Sequence, residues 1–157
     1  MVSDLKIAVV TYIASTVARV WDALINPEIT QQYWFDTRIE SDWKVGSKVL
    51  YRRNGKITDE QTLLKFEPPH VLSYTFNPLL EEFRGERPSR VTFELAAGGE
   101  VVRLTTTHDE FEPNSKVYHA CSDGWPMILS NLKTLLEIGR PLPEFRLTPQ
   151  LEKFRIS

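Results

Sequence analysis

The sequence predicts an α+β fold in which a curved antiparallel sheet wraps around one long C-terminal helix. Three observations carry this expectation: an early helical stretch after a first strand, a long middle run of alternating segments and turns, and an apolar-faced helix at Trp125–Glu137. A sheet of several antiparallel strands has one face to hide, and a late helix is the element available to hide it. The same arrangement often encloses a ligand cavity. The 157 residues fit one domain, because a chain of this length buries roughly two-thirds of its unfolded surface in one core. We place that domain at residues 1–142 and a C-terminal tail at 143–157.

The elements follow in order. Leu5, Ile7, Val9, Thr11 and Ile13 alternate with their neighbours and include β-branched residues, which predicts a first strand. Ser15 is the expected N-cap of a helix whose apolar stripe is Val17, Val20, Trp21 and Leu24. Asn26 and Pro27 end that helix and start a short second one, which runs to about Trp34, with Pro27 at the first helical position where no donor is missed. Turn signals then punctuate the chain: Asp42–Gly46, the hairpin pair Asn54-Gly55, Pro68-Pro69 and Gly98-Gly99. They place strands near 37–41, 47–53, 56–66, 71–76, 89–96 and 100–108. Leu72, Tyr74 and Phe76 share one face, as do Val91, Phe93 and Leu95, and again Val102, Leu104 and Thr106.

Between two of these strands, Asn77–Pro88 reads as a long loop or flap whose Leu79, Leu80 and Phe83 need a partner. The closing helix carries Trp125, Ile128, Leu129, Leu132, Leu135 and Leu136 on one side. Gly139 stops it, and Pro141 and Pro143 prevent its continuation. Residues Ser115–Asp123 form either a preceding turn or an N-terminal extension of this helix, kinked at Pro126. In the tail, Phe145, Leu147, Leu151 and Phe154 predict docking on the body or on a second subunit, and we expect a homodimer.

Composition removes several function classes. A net charge of −2 with scattered Lys and Arg gives no footprint for nucleic acid. Asp4 and Lys6 interrupt the N-terminus, and no run of about 18 apolar residues occurs, so we expect neither a signal peptide nor membrane insertion. Cys121 is the only cysteine, which excludes an intrachain disulfide and points to a reducing, cytoplasmic setting. His119 and Cys121 stand two apart, do not face each other on a helix, and have no C-x-x-C to complete a site, so no metal is expected.

The run Tyr12-Ile13-Ala14-Ser15-Thr16-Val17-Ala18-Arg19-Val20-Trp21-Asp22-Ala23-Leu24, followed by Asn26-Pro27-Glu28 and Tyr33-Trp34, resembles the opening of the activator of Hsp ninety ATPase homologue (AHSA-type) family. Gly124-Trp125-Pro126 with Leu129, Leu132, Leu135 and Leu136 resembles its closing helix. The resemblance covers roughly Ile7–Leu142 and lies within the START-like, or SRPBCC, superfamily. It implies a helix-grip, Bet v-like fold with two short helices after the first strand. It supplies no catalytic residue and no cofactor, and it implies a stress-response role.

Candidate chemistry centres on the aromatic residues. Trp34, Trp43, Tyr74, Phe76, Phe93 and Trp125 are the candidate lining of an apolar cavity, with Leu129 beside them and Tyr hydroxyls or indole N–H groups as polar handles. The bland alternative is that these rings fill the core. His108 shares strand parity with Leu104 and Thr106, so it is either a polar anchor in the cavity or a strand-end residue at the rim. No partner can be named from sequence, which favours the rim. Glu60 and Gln61 have opposite parity, and an inward Glu60 would need Arg52 or Arg103. Asp109, Glu110 and Glu112 read as a solvated loop.

Three functions remain. The first is a binder of a small hydrophobic or aromatic molecule, favoured over catalysis. The second is a co-chaperone-like partner of an Hsp ninety-type ATPase, and the third a hydrolase, cyclase or dehydratase using the cavity.

Overall fold

The computed structural model describes residues 3–144. The chain opens with β1 (Ile7–Ile13), then α1 (Val17–Ile25) and α2 (Pro27–Tyr33). Six strands follow: β2 (Arg38–Ser41), β3 (Lys48–Arg53), β4 (Lys56–Glu67), β5 (Val71–Phe76), β6 (Ser89–Gly98) and β7 (Val101–Asp109). A long helix, α3 (Lys116–Ile138), closes the described chain. This is the expected α+β helix-grip architecture.

The sheet order is β1-β7-β6-β5-β4-β3-β2, antiparallel throughout. The two short helices therefore carry the chain from one edge to the other, and the meander walks back until β7 lies beside β1. The Asn54-Gly55 hairpin has both residues at positive φ (49° and 78°), as a tight two-residue turn between twisted strands requires. Register shifts at Tyr51/Arg52 and between Leu63 and Lys65 bend the sheet locally. The second also reverses parity along β4: Asp59, Gln61 and Leu63 face inward, Leu64 turns outward, and Phe66 faces inward again.

Local chemistry explains the helix boundaries. Thr16, not Ser15, caps α1: it has extended backbone angles (φ −109°, ψ 156°), and its hydroxyl accepts from the Arg19 amide at 3.2 Å. Ser15 instead has its Oγ buried without a hydrogen-bond partner among the described residues. Asn26 ends α1 by donating its amide to Asp22 and starts α2 by accepting from the Glu28 amide at 3.0 Å. α3 is longer than the apolar pattern, because Ser115 caps it at 2.9 Å from the Tyr118 amide and the helix continues through Pro126. Gly139 at φ 86° forms the left-handed stop.

The core lies between the concave face and α3. Ile13, Leu63, Leu72, Phe93 and Leu104 from the sheet meet Trp125, Leu129 and Leu132 from α3, all 5% exposed or less. The inward residue of the 60/61 pair is Gln61, because its amide can be satisfied locally: Nε2 donates to Val49 O (3.0 Å) and Oε1 accepts from the Asn77 amide (3.2 Å). Glu60 points outward to Lys48 at 3.2 Å, and Arg52 pairs with Glu40 instead. Asp109 is more than a solvated loop residue, since its two oxygens accept from Arg90 at 3.0 and 2.9 Å. The tail residues Phe145, Leu147, Leu151 and Phe154, on which the docking and dimer expectations rest, lie outside the described residues.

Candidate functional site

A cavity of about 150 Å³ lies at the β3–β4 end of the concave face. Its floor comes from strand register: Tyr51 and Asp59 are directly opposed across β3 and β4, so both side chains point the same way. Arg53 lies two residues beyond Tyr51 on the same strand, and Phe76 ends β5. One wall is Trp34 and Phe35 at the end of α2. The opposite wall is a single face of α3: Val117, Ala120, Cys121, Gly124, Trp125 and Ile128, spaced as one helical stripe.

The flap supplies the remaining cover through Pro78, Leu80 and Phe83. Its root is stitched to β4 by a Pro78–Asp59 bridge and by Asn77 Nδ2 donating to Glu60 O at 3.1 Å. At its far end the Glu86 carboxylate accepts from the Ser115 hydroxyl and from the Lys116 and Val117 amides (3.1 and 3.4 Å). A carboxylate there meets unpaired donors and the positive end of the α3 dipole.

The aromatic residues pack edge to face. Trp34 stands 5.5 Å from Tyr51 (67°) and 5.4 Å from Trp125 (73°) between ring centroids. Of the residues expected to line a cavity, Trp34, Phe76 and Trp125 meet at this one. Tyr74 and Phe93 lie behind them, fully buried, as does Leu129 at 2% exposure. Trp43 is elsewhere: it stacks on Phe66 at 5.6 Å and 22°, beside Trp21. Tyr51, Asp59, Phe83 and Cys121 complete the site, and sequence reasoning did not select them. Nothing in the sequence marks the β3–β4 register that brings Tyr51 opposite Asp59.

His108 is at no rim. It is fully buried, packed between the tilted ring of Phe111 (4.4 Å, 30°) and the edge-on ring of Phe76 (4.8 Å, 63°), behind the cavity wall. Trp125 Nε1 donates to its Nδ1 at 3.0 Å, which leaves the proton of the neutral ring on Nε2, donating to Ser89 Oγ at 2.6 Å. The tautomer is set by these partners. Burial lowers its pKa from 6.5 to about 3, with Asp109 opposing the shift. A serine–histidine dyad needs a histidine lone pair facing the serine, and here the only one is taken by Trp125.

The polar corner of the cavity behaves differently. Asp59 is 6% exposed, and desolvation raises its pKa from the ordinary carboxylate value, against a hydrogen bond from Thr58 and the charge of Arg53. Burial also pushes the Cys121 thiol up, with Asp59 and Glu86 adding to the shift. It stays protonated and is a poor nucleophile. The Tyr51 and Tyr74 hydroxyls share a 2.7 Å hydrogen bond, and desolvation raises both pKa values. No three His, Cys, Asp or Glu side chains converge among the described residues in a way that could hold a metal. No described helix is long and apolar enough to cross a membrane.

Comparison with known proteins places this geometry in a family. No curated protein sequence matches the chain. A protein from Cytophaga hutchinsonii is similar at 32% identity and TM-score 0.64, with 87% of this chain and 95% of that one covered. The Aha1 dimer from Colwellia psychrerythraea shares the fold at 21% identity and TM-score 0.70, covering 85% of this chain and 97% of that one. An HSP90 activator from Plasmodium falciparum shares it at 17% identity and TM-score 0.70, with coverage of 84% and 96%. The family model described as activator of Hsp90 ATPase homolog 1-like protein matches residues 14–137, from the end of β1 to the last turn of α3, and the chain belongs to that family.

Proposed function

We propose that the protein binds one small apolar or aromatic molecule in the cavity between the curved sheet, the flap and α3. The observation that carries this reading is the cavity wall: the rings of Trp34, Tyr51, Phe76, Phe83 and Trp125 surround about 150 Å³ of space. A cavity of roughly that size accepts a benzene-sized guest. Gly124 supports the reading, since a Cβ built there meets nothing within 4 Å. A helix interior ordinarily favours alanine over glycine by roughly 0.5–1 kcal/mol, so an open glycine on the cavity face fits a need for space. Catalysis is disfavoured by the same geometry, because His108, Ser89 and Cys121 are each in a protonation state or hydrogen bond that removes them from acid–base or nucleophilic work.

The test is titration with an environment-sensitive hydrophobic dye, followed by displacement with benzene-sized aromatic compounds. Saturable binding that is lost in Gly124→Leu, with the fold intact, is the expected outcome. Dye binding that Gly124→Leu leaves unchanged would place the ligand elsewhere.

Family membership favours a second reading, a chaperone of the Hsp90 type as protein partner. It is compatible with the first and is tested by whether the purified protein changes the ATPase rate of such a chaperone. We place both activities in a reducing, cytoplasmic setting, on the single cysteine.

A further inference from the structure

The cavity contains one group that an apolar guest leaves unexplained. Asp59 is buried at its floor, and the one hydrogen bond to its carboxylate among the described residues comes from the Thr58 hydroxyl at 2.7 Å. A carboxylate has about four acceptor sites. None of the ion pairs among the described residues involves Asp59. Buried charges are normally paired. Asp59 has no ion pair among the described residues, although the Arg53 charge acts on it at longer range, and it borders a space lined by aromatic rings.

We propose that the cavity recognises a compact organic cation, an aryl- or alkylammonium group whose N–H donors meet the Asp59 carboxylate inside the aromatic wall. This deepens the ligand-pocket reading and rests on it. Two independent features point the same way. Trp34, Tyr51, Phe76, Phe83 and Trp125 present rings around one small space, and ring faces attract a desolvated cation. Asp59 supplies the formal counter-charge at its floor, and a charge-assisted hydrogen bond is stronger than a neutral one. Desolvation raises the Asp59 pKa, so the unliganded protein bears a penalty that a bound cation relieves.

Arg53 is the competing charge. It is half-buried, and the one hydrogen bond of its side chain among the described residues runs from Nε to Thr37 Oγ1 at 2.8 Å. Solvent reaches it and screens it more than it reaches Asp59. Were Arg53 the dominant anchor, the favoured guest would instead be an aromatic carboxylate.

Calorimetric titration of the full chain with benzylamine in its protonated form, benzyl alcohol and benzoate separates these cases. Benzylammonium is expected to bind at least about tenfold tighter than benzyl alcohol, a typical difference for a hydrogen bond to a charged group. Asp59→Asn should remove that preference while leaving benzyl alcohol binding in place. The variant should melt no lower than wild type at pH 7, since it removes a desolvated charge. The comparison of ligands on the wild type stands without the variant. Equal binding of amine and alcohol overturns the cation assignment and leaves the cavity reading intact. Tightest binding of benzoate overturns it in favour of Arg53. Failure of all three probes together with the hydrophobic dye overturns the cavity reading and this inference with it.

Discussion

His108 shows how a single residue ties the sheet to the helix. It belongs to β7, its Nε2 donates to Ser89 on β6, and its Nδ1 accepts from Trp125 on α3. Both ring nitrogens are satisfied only while the ring is neutral. Its pKa falls from 6.5 to about 3 on folding, so the unfolded chain binds a proton that the folded one refuses. The stabilisation is therefore complete above about pH 6.5 and lost progressively as pH falls toward 3, amounting to about a few kcal/mol. Thermal melts between pH 7 and pH 4 should show this loss. His108→Leu should flatten that part of the profile while costing about 1–3 kcal/mol at neutral pH, because Ser89 and Trp125 are left with unpaired groups. A variant whose melting temperature follows pH as the wild type does would remove His108 from the account. Its inward parity was legible in the sequence. Its partners were not, since Ser89 and Trp125 are 19 and 17 residues away and only the sheet register and the α3 docking bring them together.

At the scale of elements, legibility followed packing density. The C-terminal half of α3 was readable because Leu129, Leu132, Leu135 and Leu136 pack against the sheet and leave a strong apolar period. The N-terminal half was ambiguous because its inward face is Val117, Ala120, Cys121 and Gly124, small side chains that border a cavity and not a close-packed core. Pro126 added to the ambiguity, because an interior proline removes one helix hydrogen bond and crowds the preceding turn, yet α3 continues through it. The parity reversal in β4 was hidden for a related reason: a bulge adds one residue without changing composition. These halves predict opposite responses to substitution. Leu132, fully buried, should lose about 2–5 kcal/mol on truncation to alanine, the range for a core leucine. Gly124→Ala should instead gain roughly 0.5–1 kcal/mol from helix propensity, because its Cβ enters open space. Denaturant unfolding measures both. A Leu132→Ala loss below about 0.5 kcal/mol, typical of exposed sites, would contradict the docking of α3 on the sheet.

For the whole molecule, the site is a product of long-range assembly. The fold class could be read from the order of a few elements, but the cavity draws its walls from α2, β3, β4, β5, the flap and α3, whose mutual positions no local pattern specifies. Because those segments span most of the chain, a guest that touches all of them binds the folded state and has no comparable site in the unfolded one. Ligand binding should then stabilise the protein globally by mass action, about 2.7 kcal/mol at a free concentration of 100 times Kd. For a protein of this size each kcal/mol raises Tm by about 2–4 °C, so a shift of roughly 5–10 °C is expected at that concentration. Hydrogen exchange should slow in the same sample, most of all across the flap at Asn77–Pro88, which is held by Glu86 at one end and by Asn77 at the other. A ligand that saturates its site without moving Tm would have to bind folded and unfolded chains alike, and such a ligand does not occupy this cavity.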